Sequence, residues 1–561
     1  MSIRLAGLLL PAFSPSREGD FGIGDTRSMR RWIDHCAEQG VGFLQLLPIN
    51  ETGSDDSPYN AISSVALEPL YLTCEAGEIP GLEASDVEEA RRDFRECGLR
   101  VDYASSRRAK RGLLEKAWLR FQAGGGDPAF GDFRRSERGW LEDYCAYRWL
   151  MEKAGGSEVW DEWPEAWRSV SGARAFLAEE LARERAAVAG RLDFHAWVQW
   201  LCFTQWKAVR AHAESRGVKL MGDVPIGVSR CSADVFFGRD DFDLDHTGGA
   251  PPETLFKHDR FIQRWGQNWG IPLYRWDRME AAGFPWWRQR IAKLAEVFHI
   301  FRIDHVLGFY RIYSFPWQPR RNEEFLDLSD EEALVLAGGR LPRWSPRPDD
   351  SPAHCAANRF DGDVRLRMVL EAAGGAAVVA EDLGCVPDYV RPHLASLDIA
   401  GFRIPHWDVD EAGRVVPGDK LPECSFATYA THDHDSLPAM WADFRARSAD
   451  PVVDEEERRK VTRDLALLAE FGGVEAEQDY GPTVKAELLA ALFASRSRYA
   501  AFMITDLCDL TDRINSPGTV GPQNWSFRLS GNAEEIALRE LGKLRAVLRA
   551  TGRCSLMAES G

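Results

Sequence analysis

Eight short apolar runs, separated by stretches of helical periodicity, constrain what this chain can fold into more than any other feature. They are LAGLLLPAF (5–13), GFLQLLPI (42–49), KLMGDVPIGV (219–228), FRID (301–304), AAVVAED (376–382), GFRIPHW (401–407), FATYATHD (426–433) and YAAFMITDL (499–507). Runs of this length, rich in β-branched and aromatic residues and bounded by turn formers, read as strands. Continuous apolar strands need cover on both faces, which helical crossovers supply when the pairing is parallel. DTRSMRRWIDHCAEQ (25–39), with Asp25 as its N-cap, and WWRQRIAKLAEVFH (286–299) carry the helical period between runs. Eight such units predict an α/β fold built on a closed (β/α)8 TIM barrel.

The spacing of the runs is uneven. About 170 residues separate the second from the third, and GWLEDYCAYRWLMEKAG (139–155) within that interval is helical in pattern. FHAWVQWLCFTQWKAVRAHAESRG (194–217) is helical too. We expect the catalytic barrel to comprise residues 1–70, 196–316 and 361–550, with a mainly helical subdomain inserted at 71–195. A second, smaller loop insertion at 317–360, containing LPRWSPRPDDSP, reads as irregular.

Charge and cysteine usage narrow the function. With 69 basic and 87 acidic residues the net charge is −18, a field that repels nucleic acid and favours a neutral or cationic ligand. The longest apolar runs fall well short of the eighteen or so residues a membrane span needs, so no membrane partner is expected. The N-terminal AGLLLPAF lacks a small-residue cleavage site and reads as a buried strand. Eleven cysteines, none in a CxxC pair, point to a reducing cytoplasm instead of a disulfide framework or a zinc ribbon. Several of the 20 tryptophans fall in Gly- and Pro-rich segments, as in FIQRWGQNWGIPLYRWD (261–277) and GFPWWRQR (283–290). A flat indole in such a place suits the C–H face of a sugar ring.

Barrel enzymes carry their chemistry at the C-terminal ends of the strands. The fourth run ends at Asp304, the fifth at Glu381, and the seventh at His432–Asp433, so three strands deliver three carboxylates to one rim. Charge beside a buried segment is costly unless it is paired or used. Two facing carboxyl groups are the apparatus of glycoside chemistry: one attacks the anomeric carbon, and the other gives and later takes a proton. A third can steady the oxocarbenium-like charge. Arg302, two residues before Asp304, lies on the same face of that strand and keeps its carboxylate ionised.

The run THDH raises a metal as an alternative. A pair of histidines at a strand end marks metal-dependent barrel hydrolases, but there it normally sits on the first strand. Here the first strand ends in PAFSP and the pair, His432 and His434, follows the seventh. We therefore read the run as an Asp–His sugar-binding pair and expect neither metal nor cofactor.

At this point the motifs resemble those of a known family. FGIGDTRSMRRWID (21–34), DSPYNAISSVALEPLYL (56–72), LEDY (141–144), WDEWP (160–164) and GDVPIGVSRCSADVF (222–236) follow in the order seen in amylomaltases. So do GAPPE (249–253), GQNWGIPLYRWD (266–277), FRIDHVLGFYRIYSFP (301–316), AEDLG (380–384), THD (431–433) and PGTVGPQNWSFRL (517–529). The chain thus resembles the amylomaltases, retaining 4-α-glucanotransferases (disproportionating enzymes) of the α-amylase clan.

The resemblance implies Asp304 as nucleophile, Glu381 as general acid/base and Asp433 as transition-state stabiliser. It implies that His432, Asp223 and Arg302 contact the central sugar or the nucleophile. Tyr59 would touch glucan, Trp269 would lie on a loop over the acceptor subsites, and His305 of the RIDH motif belongs with the substrate-binding residues. The implied ligands are α-1,4-glucans: maltose, maltotriose, maltodextrins and chains of starch or glycogen. An α-1,4-glucan hydrolase of the same clan would use the same carboxylates, and a metal-dependent barrel hydrolase would use His432 and His434.

Three segments depart from the family pattern. FKHDRFIQRW lengthens the chain between GAPPE and GQNWG, His434-Asp435-Ser436 follows THD, and GFRIPHWD (401–408) replaces the usual segment after the sixth strand.

Overall fold

The computed structural model describes residues 4–95, 98–253, 259–529 and 531–554. Its strands, in chain order, are β1 (Leu5–Leu9), β2 (Phe43–Gln45), β3 (Lys219–Val224), β4 (Phe242–Ala250), β5 (Gln267–Tyr274) and β6 (Ile300–Ile303). They continue with β7 (Ile312–Phe315), β8 (Arg343–Ser345), β9 (Ala377–Ala380), β10 (Ala400–Arg403), β11 (Ser425–Ala427) and β12 (Tyr499–Met503). Eight of them close into a barrel in the order β1-β12-β11-β10-β9-β6-β3-β2, and every pairing is parallel. Each of the eight apolar runs supplies one barrel strand.

The barrel interior is filled, not hollow. Phe43, Met221, Ile300, Val379, Ala400, Phe402, Phe426 and Tyr499 pack there as one cluster. Gly7 pairs in register with Phe43, and a Cβ on Gly7 would lie 2.1 Å from that ring. The missing side chain makes the room that the aromatic ring takes.

The helix expected at 25–39 runs over Thr26–Gln39 (α1). Asp25 caps it by accepting from the Ser28 N–H at 2.9 Å, and Gly40 ends it in the left-handed region at φ 83°. Its buried stripe of Met29, Trp32, Ile33 and Cys36 follows the helical period. Burying each of those large side chains is worth about 2 kcal/mol. Between β2 and β3 the chain forms helices Ala84–Asp93, Tyr103–Ala123, Pro128–Ser136, Arg138–Lys153, Val170–Arg183 and Arg185–Ser215. The last of these runs unbroken through position 195.

A second sheet was not foreseen. β5, β4, β7 and β8 form an antiparallel sheet in that order. GQNWGIPLYRWD, expected as a loop, instead supplies β5. Gly249 lets β4 approach it, since a Cβ there would sit 1.8 Å from the Gln267 carbonyl oxygen. The 317–360 segment, expected to be irregular, contributes β8 and a helix at Asp330–Leu336. In the longer segment before GQNWG, residues 254–258 lie outside the described residues, and Arg260–Trp265 is helical.

The seventh barrel strand also ends early. Hydrogen bonding to β10 continues only to the Thr428 N–H, 3.0 Å from the Arg403 carbonyl. The Thr428 hydroxyl then donates to the Ala430 carbonyl at 2.8 Å and turns the chain off the ladder. His432 and Asp433 therefore stand on a turn beyond Ala427, not at a strand end. Among the described residues, no helix is long and apolar enough to cross a membrane.

Candidate active site

Strand register brings the first carboxylates together. Asp223 of β3 pairs with Arg302 of β6, and Ile303 of β6 pairs with Ala380 of β9. Asp304 and Glu381, the next residues along, thus leave the barrel from adjacent strands about 4.8 Å apart. Their own N–H groups stay on the ladder: Asp304 donates to the Val224 carbonyl at 3.0 Å and Glu381 to the Ile303 carbonyl at 2.9 Å. The carboxyl groups are fixed at their roots.

Arg302 bridges two of the acids. One guanidinium nitrogen lies 2.6 Å from Asp223 Oδ2 and the other 2.8 Å from Asp304 Oδ1. Burial opposes the guanidinium charge, but Asp223 and Asp304 outweigh it and hold its pKa well above the ordinary value. The Tyr59 hydroxyl donates to the same Asp223 oxygen at 2.8 Å. Burial raises the Asp223 carboxyl, with Arg302 acting against it. Asp223 Oδ1 is buried with no hydrogen-bond partner among the described residues.

Glu381 is held differently. Its two oxygens accept from the N–H groups of His305 at 2.7 Å and Leu383 at 2.9 Å. It is 9% exposed, and burial pushes its carboxyl up to about 7 against the pull of Arg302 and those amides. Glu381 thus carries a proton over much of the range below neutral pH and has one to give. His305 adopts the left-handed region at φ 46°, a conformation that costs roughly 1–3 kcal/mol for such a residue. Burial lowers its imidazole to about 4, so the ring is neutral, and its Nε2 is a second buried atom without a partner among the described residues.

Asp433 completes the group. His432 Nε2 is 3.3 Å from Asp433 Oδ2, and the Asn515 amide donates to Oδ1 at 2.6 Å. Burial opposes charge here too, but His432, Asn515 and Arg302 hold the carboxyl well below the usual range. Arg513 donates to the Asp433 carbonyl at 2.6 Å and anchors the turn. The Tyr59 ring lies parallel to His432 at 5.0 Å, and Trp525 packs on both rings at 5.4 and 5.8 Å. His434 faces elsewhere, its Nδ1 2.8 Å from the Thr431 hydroxyl. The two histidines of the THDH run thus have separate partners.

Trp269, on β5, stands edge-to-face against His305 at 4.8 Å and 84°. The nine residues singled out in the sequence are thereby joined: Trp269 packs on His305, whose N–H holds Glu381 and whose peptide bond leads to Asp304, and Arg302, Asp223, Tyr59, His432 and Asp433 follow in turn. Sequence reasoning missed Asn515, Arg513 and Trp525. Trp525 lies in the quoted PGTVGPQNWSFRL segment and is itself left-handed at φ 57°. An aromatic residue in a Gly- and Pro-rich stretch was the available signal. Asn515 and Arg513 carried none.

The sequence pattern of the 4-alpha-glucanotransferase family matches residues 10–534. The 4-alpha-glucanotransferase of Thermus thermophilus is 30% identical over 569 residues, covering 98% of this chain and 99% of that one. The Chlamydia muridarum 4-alpha-glucanotransferase is 28% identical over 565 residues, covering 97% and 94%. An amylomaltase from Streptococcus agalactiae, solved in complex with acarbose, superposes with a TM-score of 0.74 at 22% identity, covering 98% of this chain and 100% of that one. An amylomaltase from Corynebacterium glutamicum gives 0.75 at 21% identity, covering 98% and 75%. The two solved structures share the fold.

Proposed function

The chain belongs to the 4-alpha-glucanotransferase family, and we propose from that premise that it moves α-1,4-glucan segments between maltodextrins by double displacement on Asp304. One observation supports the reading above others. Asp304, ion-paired to Arg302, and Glu381, raised to about 7 by burial, leave adjacent strands in register.

Glu381 gives its proton to the glycosidic oxygen as the bond to the anomeric carbon breaks. Asp304 attacks that carbon, and the reducing-end fragment departs as an alcohol. Glu381, now a carboxylate, takes the proton from the 4-hydroxyl of a second glucan, whose oxygen displaces Asp304. Two inversions retain the configuration and restore both carboxyl groups. Asp433 supplies the negative charge that favours the oxocarbenium-like state. Asp223 Oδ1 and His305 Nε2, buried and unpaired, take sugar hydroxyls in the central subsite, and the Tyr59–His432–Trp525 stack walls it.

Trp269, 38% exposed, offers an indole face to the acceptor. The substrates we assign are maltose, maltotriose, maltodextrins and chains of starch or glycogen, with no cofactor. The reducing cytoplasm is the compartment we assign, because the ten cysteines among the described residues are all free.

The test is the product ladder from pure maltotriose. Transfer yields glucose together with maltopentaose and longer chains. A digest that stops at glucose and maltose makes the protein a hydrolase and overturns the reading.

A further inference from the structure

Two segments that depart from the family pattern, GFRIPHWD and His434-Asp435-Ser436, lie about thirty residues apart in sequence. In the structure they touch. The Trp407 ring meets the His434 ring at 5.3 Å and 63°, while its other neighbour, His406, lies at 5.4 Å and 67°. Barrel order explains the meeting place. β10 lies between β9 and β11, so the chain leaving β10 rises between the segments that carry Glu381 and Asp433.

Trp407 is 46% exposed, and it and Trp269 are the two tryptophans left exposed among the described residues. The two are placed alike. Trp269 stands edge-to-face on His305, the residue after Asp304; Trp407 stands edge-to-face on His434, the residue after Asp433. Trp269 leans on His305 just beyond the end of β6, Trp407 stands beyond the end of β10, and β9, which leads to Glu381, lies between those two strands.

A half-exposed indole beside the site offers a flat apolar face of the kind that suits the C–H face of a sugar ring. Trp407 is also held in place. Its backbone N–H donates to the Ile404 carbonyl at 2.9 Å, and the His434 ring it meets is tied to the Thr431 hydroxyl at 2.8 Å. His406 is buried beneath it. Asp435, next to His434 on the turn, pairs with Arg513 at 3.3 Å, and both are partly exposed and offer polar contacts for hydroxyl groups.

We propose that Trp407 is a second sugar-stacking platform that binds the donor arm of the glucan, opposite the acceptor platform at Trp269. It is a specificity-determining residue for long donors. This inference rests on the glucan-transfer reading above.

Donor length should therefore scale the effect. With glucose as the fixed acceptor, Trp407→Ala raises KM for maltoheptaose about 5- to 10-fold, the size expected of one lost aromatic stack. KM for maltotriose moves much less, and Trp407→Phe recovers most of the loss. The same contrast is read without turnover by titrating maltoheptaose and maltotriose into Asp304→Asn with and without Trp407→Ala.

Equal KM values for parent and variant at every donor length would overturn the inference, as would a shift in the KM of the glucose acceptor in place of the donor. A uniform loss at all lengths with a lowered Tm would assign Trp407 a structural role instead. In each of these cases the parent still builds its maltotriose ladder and the glucan-transfer reading survives. Absence of the ladder in the parent removes that reading itself.

Discussion

The barrel rim and the antiparallel sheet beside it contribute to one site in contrasting ways. At the rim, Asp223, Arg302, Asp304 and Glu381 are fixed by parallel register, and each is tied to a neighbour at 2.6–2.9 Å. In the sheet, β4 and β5 pair with two register shifts, and Trp269 on β5 is partly exposed. Charges that must sit within a fraction of an ångström of a reacting atom lie where the backbone has one possible register. The exposed indole we assign to the acceptor, Trp269, lies where the backbone is irregular. Rim substitutions should therefore reduce kcat, and sheet substitutions should raise KM.

The largest expected effect is at the rim. Asp304→Asn removes the carboxylate we assign as nucleophile and should lower kcat on maltotriose by about 10⁴-fold or more. Its circular dichroism spectrum should match the parent, because Arg302 keeps its bridge to Asp223. Near-parent turnover would break the contrast outright.

Glu381→Gln comes next, with a loss of about 10²- to 10⁴-fold on maltotriose. A donor with a good leaving group, such as an α-maltosyl fluoride, should recover part of it, because departure of fluoride needs no protonated acid. The parent should show an alkaline limb near pH 7, since the protonated acid is lost as pH rises through the raised pKa of about 7. That limb should vanish in the variant. Stability has the same sign. A carboxyl raised in the folded state leaves folding unpenalised below its ordinary value of 4.5, and stability is lost progressively from there until pH reaches about 7. Glu381→Gln should thus gain in melting temperature relative to the parent at pH 8 and not at pH 4. A variant with no rescue by the fluoride would move the acid role elsewhere.

The smallest effect belongs to the sheet. Trp269→Ala should raise the KM of the glucose acceptor about 5- to 10-fold and lower kcat less than that. A loss confined to kcat would erase the distinction between the two regions.

That distinction also decided what could be read from the sequence. The barrel was legible because its strands are apolar on both faces, so AAVVAED and FRID stand out and their terminal acids with them. β4, FDLDHTGGA, is polar and only partly buried, and β5 carries Gly270 and Pro272, which the rules for strands count against it. The resemblance put Trp269 on a loop, and nothing in the polar pattern of these segments corrected it. Asp433 was found through a run whose strand was drawn too long. The turn after Ala427, in place of a strand end, sets His432 against Asp433 itself. Asn515 was invisible because an asparagine more than eighty residues from its partner has no local signature. Asp223 was found only by resemblance; its pairing with Arg302 depends on the register between β3 and β6, which the sequence does not display.

The central claim is that a glucosyl unit becomes covalently attached to Asp304. It is tested most directly by incubating Glu381→Gln with a maltosyl fluoride that lacks its non-reducing 4-hydroxyl, so that it serves as donor and not as acceptor, and mapping the product by mass spectrometry. The account predicts one added deoxymaltosyl mass on the peptide containing Asp304. A label on Asp433, or fluoride release with no covalent adduct, would contradict it.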